Sequence, residues 1–430
     1  MKFCFFALGC KVNLFESEAL SQLASERGHD IVESNADVCI VNSCTVTSTS
    51  DHKNIRAIRR LKKLNPEAII AVAGCMAQVE PEKLLESGIV DLVCGTSDRT
   101  EIISLCENFL MDGKNIPDTS SFRSDTRKFE LLPSGVPRGR TRALLKIQDG
   151  CDNYCTYCII PYARGHVRSL PLELAVSEAI QLAENDVKEI VLTGIEISSY
   201  GRDLEEKPDL IKLIGQICKA VPNVRIRLGS LEPRTTNERF CKELSIYKNL
   251  MPHFHLSLQS GSDTVLKRMK RRYTTDIFYE NVKLLKKYFP NCSITTDIIV
   301  GFPDETEQEF IETMNFAQKC EFSQVHVFPY SPRKNTPASE MPNQIDDKIK
   351  KQRADTLKQL AFNLQQKYLS SFIGQTLNVL WEHQDSENFW CGHAQYNFIV
   401  KTNSDKCSKN QYHTAEITGV ENDTLLANLT

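Results

Sequence analysis

The sequence predicts an α/β chain in three parts: an amino-terminal doubly wound parallel-sheet domain, a central partial (β/α)6 barrel, and a small carboxy-terminal antiparallel β-barrel of OB-like size. Three observations carry that prediction. Short apolar runs alternate with helical stretches from residue 2 to 110, the alternation resumes six times between 143 and 328, and beyond Gly374 only short alternating strands follow. With 430 residues, 41% apolar and 25% charged, the chain can bury several cores. A net charge of −3 excludes a polycationic coat protein, so any nucleic-acid contact must come from local patches.

In the first part, strands are expected at 2–9, 37–43, 68–74 and 91–94, with helices around 16–27, 51–64, 81–85 and 99–110. Strands joined through helices run parallel. The opening run MKFCFFALGC is shorter than a signal h-region with its flanks, so it reads as a first buried strand and not a lipoprotein leader. Residues 112–137 contain Asp112-Gly113, Pro117 and Pro133-Ser134-Gly135 and are expected to form a linker. The domains are therefore expected at 1–111, 138–369 and 370–430.

The central part has expected strands at 143–148, 189–193, 224–229, 253–257, 293–300 and 324–328, with helices at 172–184, 208–220, 276–288 and 306–319. Six repeats exceed a small open sheet and fall short of eight, hence a partial barrel, with a long helix at 346–368 closing it. Strands at 376–382, 389–393, 396–401 and 413–420 make up the last part. No run approaches the roughly 18 apolar residues of a membrane span. Sixteen cysteines in so long a chain, without an export signal, point to a reducing cytoplasm and to metal ligation or catalysis.

The sharpest motif is Gly150-Cys151-Asp152-Asn153-Tyr154-Cys155-Thr156-Tyr157-Cys158, directly after the first barrel strand. Three thiolates on one loop suit three corners of a [4Fe–4S] cube and leave one iron without a protein ligand. Structural zinc would need a fourth ligand, and His166 is the nearest histidine. In the first domain Cys10, Cys44 and Cys75 each follow a strand, and strand ends of an open parallel sheet share the ligand-binding edge. Cys4 and Cys39 lie inside strands and are expected as small buried hydrophobes. Cys94 also ends a strand, and pattern alone does not exclude it.

The central motif, with Leu192-Thr193-Gly194-Ile195-Glu196, Arg227-Leu228-Gly229-Ser230, Leu258-Gln259-Ser260-Gly261 and Asp297-Ile298-Ile299-Val300-Gly301-Phe302-Pro303, resembles the radical S-adenosylmethionine (SAM) superfamily. The resemblance implies that the open iron chelates SAM and reduces it to a 5′-deoxyadenosyl radical. It makes Tyr157, Gly194, Glu196, Ser230, Gln259 and Asp297 the candidate SAM-facing residues, although no Gly-Gly-Glu occurs at Gly194. Leu8-Gly9-Cys10-Lys11-Val12-Asn13, Asn42-Ser43-Cys44-Thr45-Val46-Thr47 and Gly74-Cys75-Met76-Ala77-Gln78 resemble the amino-terminal signature of the radical-SAM methylthiotransferases. That resemblance implies a second [4Fe–4S] cluster on Cys10, Cys44 and Cys75 carrying the sulfur to be transferred, and a TRAM domain at the carboxy terminus.

The forms around Cys10 and Cys44 are similar to the branch that converts N6-threonylcarbamoyladenosine at position 37 of tRNA to its 2-methylthio derivative. The partners so implied are a tRNA anticodon stem-loop and an external low-potential electron donor, with no membrane and a monomer expected. Isopentenyladenosine in tRNA and an aspartate of a ribosomal protein are the alternative substrates. A non-catalytic iron–sulfur RNA-binding protein is the alternative class, and it has no reason to leave an iron open twice.

An RNA partner requires phosphate contacts. The helix near residue 52 carries Lys53, Arg56, Arg59 and Arg60; Arg138, Arg140 and Arg142 precede the barrel; Lys267, Arg268, Lys270, Arg271 and Arg272 form a third run. The last domain opposes them, with three lysines against seven acids over residues 370–430. Any RNA contact there rests on stacking by Trp381, Phe389, Trp390, Tyr396, Phe398 or Tyr412, unless these fill the barrel core.

Overall fold

Two central strands, β3 (Val38–Ser43) and β4 (Ile69–Gly74), are buried at every residue, as parallel strands covered on both faces must be. They belong to a five-stranded parallel sheet with β1 (Lys2–Ala7), β2 (Asp30–Ile31) and β5 (Leu92–Val93), in the order β2-β1-β3-β4-β5. The two-residue β2 carries no sequence alternation and was not expected. Side chains alternate between two apolar layers. Val38, Ile40, Ile69 and Ala71 meet Leu20 and Ala24 of α1 (Lys11–Glu26) on one face. Cys39, Val41, Ile70 and Val72 meet Ile58 and Leu61 of α2 (Ser48–Leu64) on the other. Cys4 and Cys39 are buried in that second layer, as small hydrophobes are.

The structure, a computed structural model, describes residues 1–111, 128–135 and 141–430. Most of the expected linker, with Arg138 and Arg140, lies outside the described residues. The central domain has six parallel barrel strands: Arg142–Lys146, Glu189–Thr193, Arg225–Leu228, His253–Gln259, Ser293–Val300 and Gln324–Pro329. Strands one to three pair in order, and four to six pair in order. The two sheets meet at the third strand, which resumes after Gly229 as Ser230–Leu231 and pairs with the fourth. The long helix Asp347–Ser370 packs along the sixth strand. The opposite margin of the open barrel is covered by α1, whose Phe15 and Ala19 pack on Leu144 and Val191 of the first two strands. The amino-terminal domain thus lies directly against the barrel.

After Ser370 five strands close into a barrel: Thr376–Gln384, Trp390–Ala394, Ile399–Thr402, Tyr412–Glu421 and Thr424–Leu429. One pairing departs from the expected antiparallel pattern, since Ile399–Lys401 runs parallel to Thr424–Leu426. Trp381 and Phe398 are core residues. Tyr412 holds the domain to the central barrel, its hydroxyl donating to Lys188 O at 2.5 Å while Arg225 stacks over its ring at 4.7 Å. Arg225 also donates to Asn378 O and His393 O, and Arg142 pairs with Glu382 at 3.0 Å. The small barrel therefore seats on the amino-terminal ends of the first three strands. No helix among the described residues is long and apolar enough to cross a membrane.

Candidate functional site

The sheet order β2-β1-β3-β4-β5 reverses direction between β1 and β3, and a ligand of an open α/β sheet binds outside the strand ends at that switch point. Cys10 caps α1 just after β1, Cys44 follows β3, and Cys75 opens α3 (Cys75–Val79) after β4. The three are close enough for their thiols to interact electrostatically. Gly9 (φ +99°) permits the approach, because a Cβ there would lie 2.7 Å from Cys44 Sγ. Motif polar residues hold the loops: Asn13 donates to Leu8 O (2.7 Å) and Ser43 O (2.9 Å), and Asn42 donates to Asn13 O (3.0 Å). Cys94 is buried instead in an apolar layer with Ile102 and Cys106.

Cys151, Cys155 and Cys158 lie on a loop tied at both ends. Cys151 N donates to Gly165 O (3.0 Å) and Thr156 N to Met269 O (3.2 Å). Gly150 (φ +72°) sits so close to His166 O that no side chain fits. His166 does not turn to the cysteines but pairs with Asp152 at 2.7 Å. Burial pushes Cys75 and Cys151 up to about 11 and Cys158 up to about 12, so binding metal requires loss of their protons. Each set has an arginine to support the thiolate charge: the buried Arg164 donates from Nε to Cys75 Sγ at 3.3 Å, and the half-buried Arg271 from Nη1 to Cys155 Sγ at 3.2 Å.

Among the described residues, neither set brings three thiols within 4.8 Å of one another. A tetrahedral zinc would draw its thiolates to about 3.8 Å. Three thiols, with no fourth cysteine or histidine grouped with them among the described residues, are the donor set that suits an iron–sulfur cube with one iron left open.

The two sets adjoin. The helix Ile160–Arg164 begins two residues after Cys158 and packs on α3, which begins with Cys75; Thr96 clasps it through Ala163 O at 2.8 Å. Its last residue, Arg164, is buried and donates to Glu16 (2.6 Å), Asn13 Oδ1 (2.6 Å) and Asp149 (3.2 Å) as well as Cys75. Lys146 bridges Glu16 (2.8 Å) and Asp149 (2.6 Å), and Arg99 joins Glu16 to Glu130. Three cations, Arg164, Lys146 and Arg99, are thus held by three acids, Glu16, Asp149 and Glu130, and all of these but Glu130 are buried. The sequence reading missed this network, since nothing local to Arg164, Glu16 or Lys146 tells that they meet.

The other candidate residues divide. Glu196 is near enough to Cys151 for charge interaction; burial pushes its carboxyl up to about 7, and its backbone N–H donates to Gln148 Oε1 at 2.8 Å. Gly194 passes so close to Gln148 that a Cβ would lie 2.9 Å from its carbonyl. Tyr157 packs beside Phe302 and Tyr330, and burial pushes its hydroxyl up against the influence of Arg271. Gln259 ends the fourth strand in a left-handed turn (φ +70°), and Ser230 is exposed after the third. Asp297 lies apart from these in mid-strand, paired with His255 at 3.2 Å.

The basic residues also divide. Lys53, Arg56, Arg59 and Arg60 are exposed on α2, and Lys53 borders a cleft of about 910 Å³ that reaches Cys10 and Cys44. Lys350, Lys351 and Lys358 of the long helix form its other wall, lysines that the sequence reading did not single out. Arg272 with Lys267 and Lys270 rims a second cleft beside Asn153 and Tyr154. Arg271 turns inward to Cys155, and Arg268 pairs with Glu309 at 2.8 Å; charge in the sequence did not reveal direction.

Comparison with known proteins agrees with this architecture. Residues 145–317 match the radical SAM superfamily, and residues 2–95 match the uncharacterized protein family UPF0004. Threonylcarbamoyladenosine tRNA methylthiotransferase MtaB of Bacillus subtilis (strain 168) is 40% identical over 91% of this chain and 88% of its own length. The protein so named from Thermotoga maritima is 38% identical over 90% and 88%. The tRNA-2-methylthio-N(6)-dimethylallyladenosine synthase of Bacillus subtilis (strain 168) is 33% identical over 90% of this chain and 77% of its own. Among solved structures, the radical S-adenosylmethionine methyltransferase TsrM from Kitasatospora setae shares the fold, with a TM-score of 0.58, 14% identity, and coverage of 79% of this chain and 77% of that one. Two domain matches in the expected order, and relatives aligned over nine-tenths of the length, lead to one conclusion: the chain belongs to the radical-SAM tRNA methylthiotransferase family.

Proposed function

We propose that this protein converts N6-threonylcarbamoyladenosine at position 37 of tRNA to its 2-methylthio derivative, with one [4Fe–4S] cluster on Cys151, Cys155 and Cys158 and a second on Cys10, Cys44 and Cys75. The observation that carries the reading is the adjacency of the two three-cysteine sets through Arg164. When bound, the clusters and SAM supply the radical and the sulfur. The chain's own residues do the rest. Arg164 and Arg271 hold the thiolates by N–H donation, Gly9 and Gly150 let the loops close, and α1 seals the open margin of the barrel against water.

The threonylcarbamoyl branch is supported by the higher identity to its named members and by the Lys11 form of the first motif. Lys53, Arg56, Arg59 and Arg60 on α2, with Arg272 across the second cleft, are the phosphate contacts of the anticodon stem-loop. Electrons come from a low-potential cytoplasmic donor. Nucleosides of tRNA from a strain lacking this gene test the reading. Mass spectrometry should find 2-methylthio-N6-threonylcarbamoyladenosine gone and its unthiolated precursor retained; persistence of the thiolated nucleoside, with no second enzyme to make it, overturns the assignment.

A further inference from the structure

The inner face of the partial barrel is polar where its outer face is core. Phe254, Leu256, Ile294 and Ile298 lie in the outer core beneath the helices, so strand parity turns His255, Asp297 and His326 inward. The three are neighbours: His255 pairs with Asp297 at 3.2 Å, Asp297 and His326 are register partners, and the two imidazoles are 5.9 Å apart. His255 is fixed from behind by Thr295 Oγ1 at 2.9 Å. Their ligand atoms lie within 4.8 Å of one another, which alone would suit a cation. The surroundings argue otherwise. Lys11 of the amino-terminal domain, Arg142 and Arg227 face the same space, and Lys11 acts electrostatically on both Asp297 and His326. The remaining acids there are already engaged, Glu189 by Arg227 (2.7 Å) and Glu382 by Arg142 (3.0 Å). Arg225, 3.9 Å from Glu189, adds a fourth cation, so four cations stand against three acids and the balance favours an anion with a hydrogen-bonding neighbour.

Lys11 directly follows Cys10, so this polar pocket begins beside the amino-terminal cysteine set. In adenine, C2 and C6 flank N1. A base that offers C2 to the cysteine sets must therefore place its N6 substituent within one ring width of them. We infer that Lys11, His255, Asp297 and His326 form the pocket for the N6 arm of the substrate, with Lys11 and His326 holding its carboxylate and the His255–Asp297 pair its hydroxyl and carbamoyl N–H groups. The inference rests on the proposed methylthiolation of threonylcarbamoyladenosine. A prenyl arm would cover Lys11 and His326 without offering either a partner, the situation in which hydrogen-bonding sites discriminate most strongly.

The test is binding of fluorescent anticodon stem-loops to the anaerobically reconstituted enzyme with SAM and no reductant. Three loops are compared, bearing adenosine, N6-threonylcarbamoyladenosine or N6-isopentenyladenosine. Wild type should prefer the threonylcarbamoyl loop over the other two by about 10- to 100-fold, the range for hydrogen bonds to a charged group. Lys11→Gln and His326→Gln should each lose at least about 10-fold of that preference and bind the unmodified loop as wild type does. His326 lies in a different domain from Cys10, so its variant answers for any damage that Lys11→Gln does to the neighbouring cluster; iron content and visible absorption are checked in both. Full preference in both variants overturns the pocket and leaves the function standing. No preference in wild type overturns the substrate reading as well.

Discussion

Replacing Cys151, Cys155 and Cys158 together with alanine is expected to reduce reductive cleavage of SAM to 5′-deoxyadenosine by about 10³-fold or more, because residues that act as a unit fail as a unit. Replacing Cys10, Cys44 and Cys75 should leave that cleavage in place and abolish methylthiolated product. The two sets sit on separate domains with separate supports: Arg271, from the loop before the helix Thr275–Tyr288, serves one, and Gly9, Asn13 and Arg164 serve the other. Both products are measured under dithionite, with circular dichroism and iron content confirming the fold and the remaining cluster. Methylthiolation by the amino-terminal triple variant would sink the two-site account, and cleavage surviving in the central one would sink its assignment as the radical site.

Glu16→Ala is the substitution expected to cost most stability. It leaves Arg164, Arg99 and Lys146 buried around a missing anion, a loss of about 3–5 kcal/mol. For a chain of this size the midpoint of thermal unfolding should fall by roughly 10 °C. Glu16→Gln should fall less, since it keeps a hydrogen-bond acceptor. A midpoint within about 2 °C of wild type for the alanine variant would mean that water enters the network. The same chemistry sets an acid limit. Burial alone would raise Glu16 and Glu189, but the arginines and Lys146 around them outweigh it, holding Glu16 well below the usual range and Glu189 at about 2. A carboxylate depressed in the folded state stabilises fully above its unfolded value near 4.5, and that contribution is lost as pH falls toward 2.

Periodicity made the three domains legible because their elements are long and their faces cleanly divided: β3 and β4 are continuous apolar runs, and the six barrel strands carry the alternation that sorts core from lumen. Strand-end cysteines were legible for the same reason, since sheet topology converts distant positions into one edge. What could not be read was the direction of charged side chains. Arg271 and Arg272 are adjacent in sequence, yet one supports a cysteine and the other faces solvent. Arg164 stands in an unremarkable helix and joins both domains. The aromatics of the last domain were legible as a choice only, and packing resolved it for Trp381 and Phe398. Its acidity is partly internal, because Glu382 answers Arg142 across the domain junction.

The central claim is that both cysteine sets serve one carbon of one base. A stem-loop whose N6-threonylcarbamoyladenosine carries deuterium at C2 tests it directly in the reconstituted wild-type enzyme. Deuterium should appear in 5′-deoxyadenosine in step with methylthiolated RNA; methylthiolated RNA accompanied only by unlabelled 5′-deoxyadenosine would contradict the account.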